Sequence, residues 1–226
     1  MPNSIVKRHD LVRLTPEGWE TVCRGLSGAG RDLAWQWGER DLPAVVRRTE
    51  PGTPPDVLCL GMPAPPDAIS GQKLRVGFAV ESRHVVGIRA PLALDEAGVP
   101  AAWQAPFTSL REELREAGID CRVFGSVAMQ TLTGERYLTS ASDIDLLLRP
   151  ASSAQLDAGL DLLRHYAQSL PLDGEIAFPS GDAVSWKEWL GAGGGDRVLA
   201  KRLNTVALLR RDALLERFID AECSHA

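Results

Sequence analysis

Two short motifs in the second half of the chain have residue types and spacing suited to phosphate chemistry. The first is Gly125-Ser126, and the second is the triplet Asp143-Ile-Asp145. Since alternate residues of a strand share one face, the two carboxylates are predicted to project together while Ile144 points to the buried side. Adjacent carboxylates repel unless a cation lies between them, and their hard oxygens suit Mg²⁺ with nucleotide phosphates. The pair therefore predicts metal-assisted phosphoryl or nucleotidyl transfer.

The Gly125-Ser126 pair is predicted to bind the phosphates themselves. It follows a predicted strand and opens a predicted helix, so its amides and hydroxyl would lie at the positive end of the helix dipole. Gly-Ser and Asp-x-Asp are each common, and each can be an ordinary structural feature. In the order strand, helix, loop, strand, they indicate one site in which a turn holds phosphates and a strand holds metal.

Both motifs lie in a segment where strands and helices alternate, which is typical of an α/β domain. Predicted strands cover residues 120–124, 143–148 and 172–178. Predicted helices cover residues 109–117, a segment from 126, residues 152–169, a segment near 186 and residues 206–219. The helix start at 109 rests on a capping box, because Glu112 follows Ser109 by three residues.

The first half of the chain has a different character. Twelve of the 15 prolines precede residue 109, among short apolar runs that read as strands. These runs cover residues 11–14, 44–46, 57–60, 74–80 and 85–88. We therefore predict a smaller strand-rich N-terminal domain over 1–108 that helps bind substrate or partner, and an α/β (α+β) domain with a mixed sheet over 109–226.

Composition excludes several classes of protein. With 226 residues, 44% of them hydrophobic and 24% charged, the chain can fold as one large or two small globular domains. The longest uncharged run is 14 residues, too short for a spanning helix, and the N-terminus lacks a secretion-signal core, so we expect a cytoplasmic protein without membrane contact. Residues 109–226 carry 13 basic against 18 acidic residues, which argues against nucleic-acid binding.

The order of Gly-Ser and Asp-x-Asp resembles the nucleotidyltransferase superfamily. The longer string from Phe124 to Gly134, followed by Tyr137-Leu and the segment from Ser142 to Leu147, narrows the resemblance. It is similar to the malonate decarboxylase holo-acyl-carrier-protein synthases, also called phosphoribosyl-dephospho-coenzyme A transferases. Further segments that agree with this family lie at residues 8–12, 43–48, 60–63, 173–175 and 183–186. The resemblance thus covers nearly the whole chain.

This resemblance implies a specific reaction. The family transfers the 2′-(5″-triphosphoribosyl)-3′-dephospho-CoA group to a serine of the acyl-carrier subunit of malonate decarboxylase, forming a phosphodiester and releasing pyrophosphate. Asp143 and Asp145 match the acids that bind the family's metal, expected to be Mg²⁺, and Gly125 and Ser126 match the turn that holds the triphosphate. Catalysis would then depend on positioning and electrostatics.

Three further residues are candidates for the same site. Superfamily members usually carry a third carboxylate on a neighbouring strand, and both Asp173 and Glu175 are available on one predicted face. Either acid would take the serine proton or complete a second metal site, and a solvated Asp-Gly turn is the alternative. Lys201 would reach the triphosphate as a point charge, or else begin a solvated helix.

Two other functions stay open from the sequence. One is a nucleotidyltransferase that uses an ordinary nucleoside triphosphate, and the other is a silent relative that only binds the carrier. The adjacent carboxylates of Asp143 and Asp145 argue against the silent relative, because binding alone gives no reason to place two such groups side by side.

Overall fold

The computed structural model describes residues 6–67 and 70–223, and the chain forms two compact units. The first unit runs to Pro91 and also contains residues 132–137 and 203–205, while the second unit begins at Leu92 and contains the remainder. The division therefore falls earlier in the chain than the expected boundary between residues 108 and 109.

The first unit is built on a five-stranded antiparallel sheet in the order β4-β3-β2-β1-β5. Its strands are β1 (Leu11–Leu14), β2 (Ala44–Val46), β3 (Val57–Pro63), β4 (Arg75–Glu81) and β5 (Val85–Arg89). Two helices, α1 (Pro16–Gly25) and α2 (Gly28–Glu39), follow β1. The predicted strands are confirmed to within a few residues, whereas the two helices were not predicted. Thr15 caps α1 by accepting a 3.1 Å hydrogen bond from the Gly18 amide.

The second unit contains a seven-stranded mixed sheet in the order β12-β11-β10-β9-β8-β7-β6. Its strands are β6 (Leu92–Ala93), β7 (Asp120–Phe124), β8 (Ile144–Arg149), β9 (Leu172–Ala177), β10 (Ala183–Ser185), β11 (Arg197–Lys201) and β12 (Val206–Arg210). Its helices are α3 (Ala101–Glu116), α4 (Gly125–Thr133), α5 (Ser153–Tyr166), α6 (Trp186–Gly191) and α7 (Arg211–Cys223). Strands β8 and β9 are parallel and the other described pairs of this sheet are antiparallel, so the predicted mixed α/β fold is confirmed.

Two predicted helices have the wrong limits. Helix α3 begins at Ala101 and not at Ser109, and Phe107, which precedes the predicted start, already belongs to its buried face with Leu110 and Leu114. Residues 206–210 form strand β12 because each of them pairs with a residue of β11 in an antiparallel ladder. Helix α7 therefore begins only at Arg211. The apolar spacing of this segment fits a strand as well as a helix.

Alternation along β8 separates an apolar from a polar face of the sheet. Ile144, Leu146 and Leu148 are completely buried. A Cβ atom placed on Gly159 would lie 2.9 Å from a Leu148 methyl carbon, so α5 packs closely on this face. Asp145 therefore projects from the opposite face.

None of the helices in the described part of the chain has the length and apolar character needed to cross a bilayer.

A buried ion pair fixes the turn between β9 and β10. The Asp182 side chain is 1% exposed, and it accepts hydrogen bonds of 2.6 and 2.7 Å from the Arg202 guanidinium and 2.8 Å from the Ser180 hydroxyl. Burial acts to raise the pKa of Asp182, but the hydrogen bonds from Arg202 and Ser180 outweigh it, so this pKa lies below its ordinary value.

We expect Asp182→Asn to lower the free energy of unfolding by about 2–3 kcal/mol at pH 7, because hydrogen bonds to a buried charge are lost. Since the folded pKa is lowered, this stabilisation is complete above pH about 4 and disappears as the pH falls through the folded pKa. Urea denaturation between pH 2 and 7 measures the difference. Asp161→Asn, at an exposed ion pair, is the control. A difference between wild type and Asp182→Asn that is independent of pH would contradict this account.

Candidate active site

The turn from β7 into α4 places the backbone of Gly125 against a carboxylate of β8. Gly125 has a φ of +66°, and a Cβ atom built on it would lie 2.7 Å from Cγ of Asp145. Phe124 is the register partner of Asp145, which brings the turn and the acid together. Only glycine combines this backbone angle with the space that the carboxylate needs. The predicted helix start is confirmed, and Ser126 lies in the first turn of α4.

The parallel pair β8 and β9 places a second acid beside the first. Asp145 and Asp173 are register partners, so they lie on one face of adjacent strands whose axes are about 4.8 Å apart. Gly174 allows this pairing, since a Cβ atom there would lie 2.6 Å from the Leu146 amide nitrogen. Asp173 therefore belongs to the sheet, and the alternative of a solvated Asp-Gly turn is wrong.

Asp143 lies just before β8 and not within it, because the strand begins at Ile144. The preceding loop is held by Ser142, whose buried hydroxyl accepts a 2.9 Å hydrogen bond from the Thr139 amide. On the other side, the Ile144 amide donates to the Pro171 carbonyl oxygen at 2.8 Å. Among the described residues the Asp143 carboxylate has no hydrogen bond or ion pair. Its oxygens are therefore available for a ligand.

Glu175 and Lys201 form a partly buried ion pair on the face that carries Asp145. The Glu175 side chain is 8% exposed, and its Oε1 lies 2.9 Å from Nζ of Lys201, whose side chain is one third exposed. Lys201 ends strand β11, so the alternative of a solvated helix start is wrong. Loss of Lys201 would remove a cation from beside a buried carboxylate, which is costly.

The structure adds Lys187, which the sequence analysis missed, to this group of charges. Lys187 is the second residue of α6, and its Nζ lies 3.7 Å from Oδ1 of Asp173. Both side chains are about half exposed, so this contact is weak and can be exchanged for a ligand. The chain has only four lysines beside 21 arginines, and this scarcity is the one feature of the sequence that could have drawn attention to Lys187.

The acids suit Mg²⁺ by their chemistry and number. The described part of the chain contains no group of three or more His, Cys, Asp or Glu arranged to hold a metal ion. Mg²⁺ usually takes one or two carboxylates from the protein and completes its octahedron with substrate phosphates and water. Asp145 lies beside the N-terminus of α4 and offers one such oxygen donor, and Asp143, two residues earlier in the chain, is the candidate for the second. A three-ligand protein cage is not required for this ion.

Comparisons with known proteins agree over residues 7–212. The family model of the phosphoribosyl-dephospho-CoA transferase MdcG N-terminal domain matches residues 7–91, and that of the C-terminal domain matches residues 91–212. The junction of the two models coincides with the division of the structure at Pro91. No solved structure matches the chain at a significant level.

Curated relatives carry the name phosphoribosyl-dephospho-CoA transferase. The relative from Bradyrhizobium diazoefficiens is 35% identical over 209 residues, which cover 90% of each chain. The relative from Xanthomonas axonopodis pv. citri is 36% identical over 212 residues, or 92% of this chain and 95% of the relative. A relative from Pseudomonas aeruginosa is 28% identical over 88% of this chain.

The family models and the curated relatives, which match about 90% of the chain, define this protein as a transferase. The chain belongs to the phosphoribosyl-dephospho-CoA transferase MdcG family.

We expect Gly125→Ala to lower the free energy of unfolding more than the same substitution at another glycine with a positive φ. Gly181→Ala is the matched control, because Gly181 has a φ of +85° with no atom near its Cβ position. The control should lose about 1–2 kcal/mol of unfolding free energy from the backbone angle. Gly125→Ala should lose at least about 1 kcal/mol more because the Asp145 side chain must move. Urea denaturation measures the free energy of unfolding of both variants. Equal losses would show that Gly125 and Asp145 are not in close contact.

Proposed function

We propose that this chain transfers the 2′-(5″-triphosphoribosyl)-3′-dephospho-CoA group to a serine hydroxyl of the acyl-carrier subunit of malonate decarboxylase. The family supports a substrate derived from dephospho-CoA. The observation that carries the proposed chemistry is the Asp145 carboxylate beside the Gly125 turn and in register with Asp173. This arrangement joins oxygen donors for a divalent ion to a helix N-terminus that suits phosphate.

The triphosphate would be bound by amides and cations of this chain. Gly125 and Ser126 open α4, so their amides and the serine hydroxyl would meet phosphate oxygens at the positive end of the helix dipole. Lys187 and Lys201 would add positive charge from α6 and β11, and the weak contact of Lys187 makes it the more easily transferred of the two. These groups oppose the negative charge that develops on the leaving pyrophosphate.

Asp143 and Asp145 would hold Mg²⁺, which when bound neutralises phosphate charge and draws the reacting oxygens into line. The acceptor serine loses its proton, its oxygen forms a bond to the α-phosphorus, and the bond from that phosphorus to the bridging oxygen of the β-phosphate breaks. Pyrophosphate leaves, and a phosphodiester remains on the serine. Atoms and charge balance without any further reactant.

Exposure favours Asp173 over Glu175 as the acceptor of the serine proton. The Asp173 side chain is 41% exposed and adjoins Asp145, whereas the Glu175 carboxylate is buried against Lys201. A proton acceptor must reach the attacking hydroxyl within hydrogen-bond distance. Glu175 would then act as a positioning residue that fixes Lys201, while Asp173 receives the proton.

Mass spectrometry of the carrier subunit tests the proposed function. The apo carrier is incubated with this protein, Mg²⁺ and the triphosphoribosyl-dephospho-CoA precursor, with ATP in a parallel reaction. A mass gain equal to the whole prosthetic group is expected only with the precursor. A gain of adenylate from ATP would instead support an ordinary nucleotidyltransferase, and no gain in either reaction would contradict transfer.

Asp143→Asn and Asp145→Asn should each lower the transfer rate at least about 100-fold, because each removes a charged oxygen ligand from the transition state. Asp157→Asn, on the exposed surface of α5, is the matched control and should keep full activity. Circular dichroism should show an unchanged fold in all three variants. Transfer at the wild-type rate by both Asp143→Asn and Asp145→Asn would contradict the proposed role of these carboxylates.

A further inference from the structure

Strands β11 and β12 present apolar side chains on the same sheet face as the acids of the candidate site. In this antiparallel pair Lys201 lies opposite Val206, Leu199 opposite Leu208, and Arg197 opposite Arg210. Directly opposed residues share a face. We call the following five residues the β11–β12 surface: Arg197, Leu199, Val206, Leu208 and Arg210.

This surface is unusually apolar for the exposed rim of a sheet. Leu208 is 57% exposed and Val206 is 40% exposed, and β12 is the last strand of the sheet. On the other face of β11, Val198 and Ala200 are buried. Exposed edge strands usually carry charged residues that prevent association, so adjacent apolar residues at an edge indicate a surface for a partner.

The register places this surface close to the reacting groups. Lys201 belongs to the same strand as Leu199, and its ammonium contacts Glu175 of β9. Strands β9 and β12 are separated by three strand spacings, or about 14 Å. A standard protein interface covers about 800 Å² on each partner, a patch roughly 30 Å across. A partner that presents its hydroxyl to Asp173 through an interface of this size is therefore wide enough to reach β12 as well.

Charge indicates the character of that partner. The whole chain carries a net charge of −5, so an acidic protein is repelled by most of its surface. Arg197 is exposed and has no ion pair within the described part of the chain, whereas Arg210 pairs with Asp212. The β11–β12 surface thus offers an uncompensated cation beside an apolar patch.

We propose that the β11–β12 surface docks the protein that carries the acceptor hydroxyl, through an acidic patch with an apolar centre on that protein. This inference rests on the proposed function, because only a protein acceptor needs so wide a contact beside the site. Leu208 would supply the apolar contact, and Arg197 would steer and orient the acidic partner.

Steady-state kinetics with the apo carrier subunit test this surface in the full-length chain. Leu208→Glu and Arg197→Glu should each raise KM for the carrier at least about 10-fold, with kcat and KM for the triphosphoribosyl precursor nearly unchanged. Leu208→Ala, which adds no charge, should give a smaller rise in the same KM. Ile219→Glu is the matched control, because Ile219 is 40% exposed on α7 outside this surface.

The outcomes separate this inference from the proposed function. If the wild type transfers the group and the surface variants keep the wild-type KM for the carrier, the docking surface is wrong and the function stands. If the wild type transfers nothing to the carrier, the proposed function fails and this inference fails with it.

Sedimentation of the same proteins gives a third test. A wild-type dimer that Leu208→Glu dissociates would assign the surface to a second copy of the chain and overturn the proposal.

Discussion

The carboxylate of Asp145 occupies the space that any side chain at residue 125 would need, and the candidate site depends on this contact. The left-handed φ of Gly125 turns the chain from β7 into α4 directly beside Asp145, which is the cross-strand partner of Phe124. A helix N-terminus, which favours anions, thereby lies next to a carboxylate, which favours cations. A phosphate with its counterion satisfies both preferences at once.

The two ion pairs beside Asp145 differ in how far they are exposed to solvent. Glu175 lies deep on the face and keeps Lys201 beside it, whereas the more exposed Asp173 has a loose contact with Lys187 and accepts a 2.8 Å hydrogen bond from the Gly174 amide. The inner pair is therefore suited to fixed structure, and the outer pair is suited to exchange with substrate. The opposite face of β8 is purely apolar under α5, so the acids have only one direction in which to project.

Much of this arrangement could be predicted from the sequence because its signals are local. Strands β1 and β7 were predicted with their observed limits, and the Gly-Ser turn leads into α4 as expected. The errors arise where distant packing decides the structure. Residues 206–210 have apolar spacing that fits a helix, yet pairing with β11 makes them a strand. Lys187 carries no motif, and only the path of α6 after β10 brings it to Asp173.

Calorimetric titration of inorganic triphosphate into the full-length chain tests the central claim most directly. The paired turn and carboxylate predict binding in the presence of Mg²⁺ that weakens at least about 10-fold when EDTA removes the ion, since the Asp145 carboxylate would then repel the phosphates. Asp145→Asn should abolish this dependence on Mg²⁺. Equal affinity of the wild type with Mg²⁺ and with EDTA would contradict a site in which Gly125 and Asp145 bind phosphate and metal together.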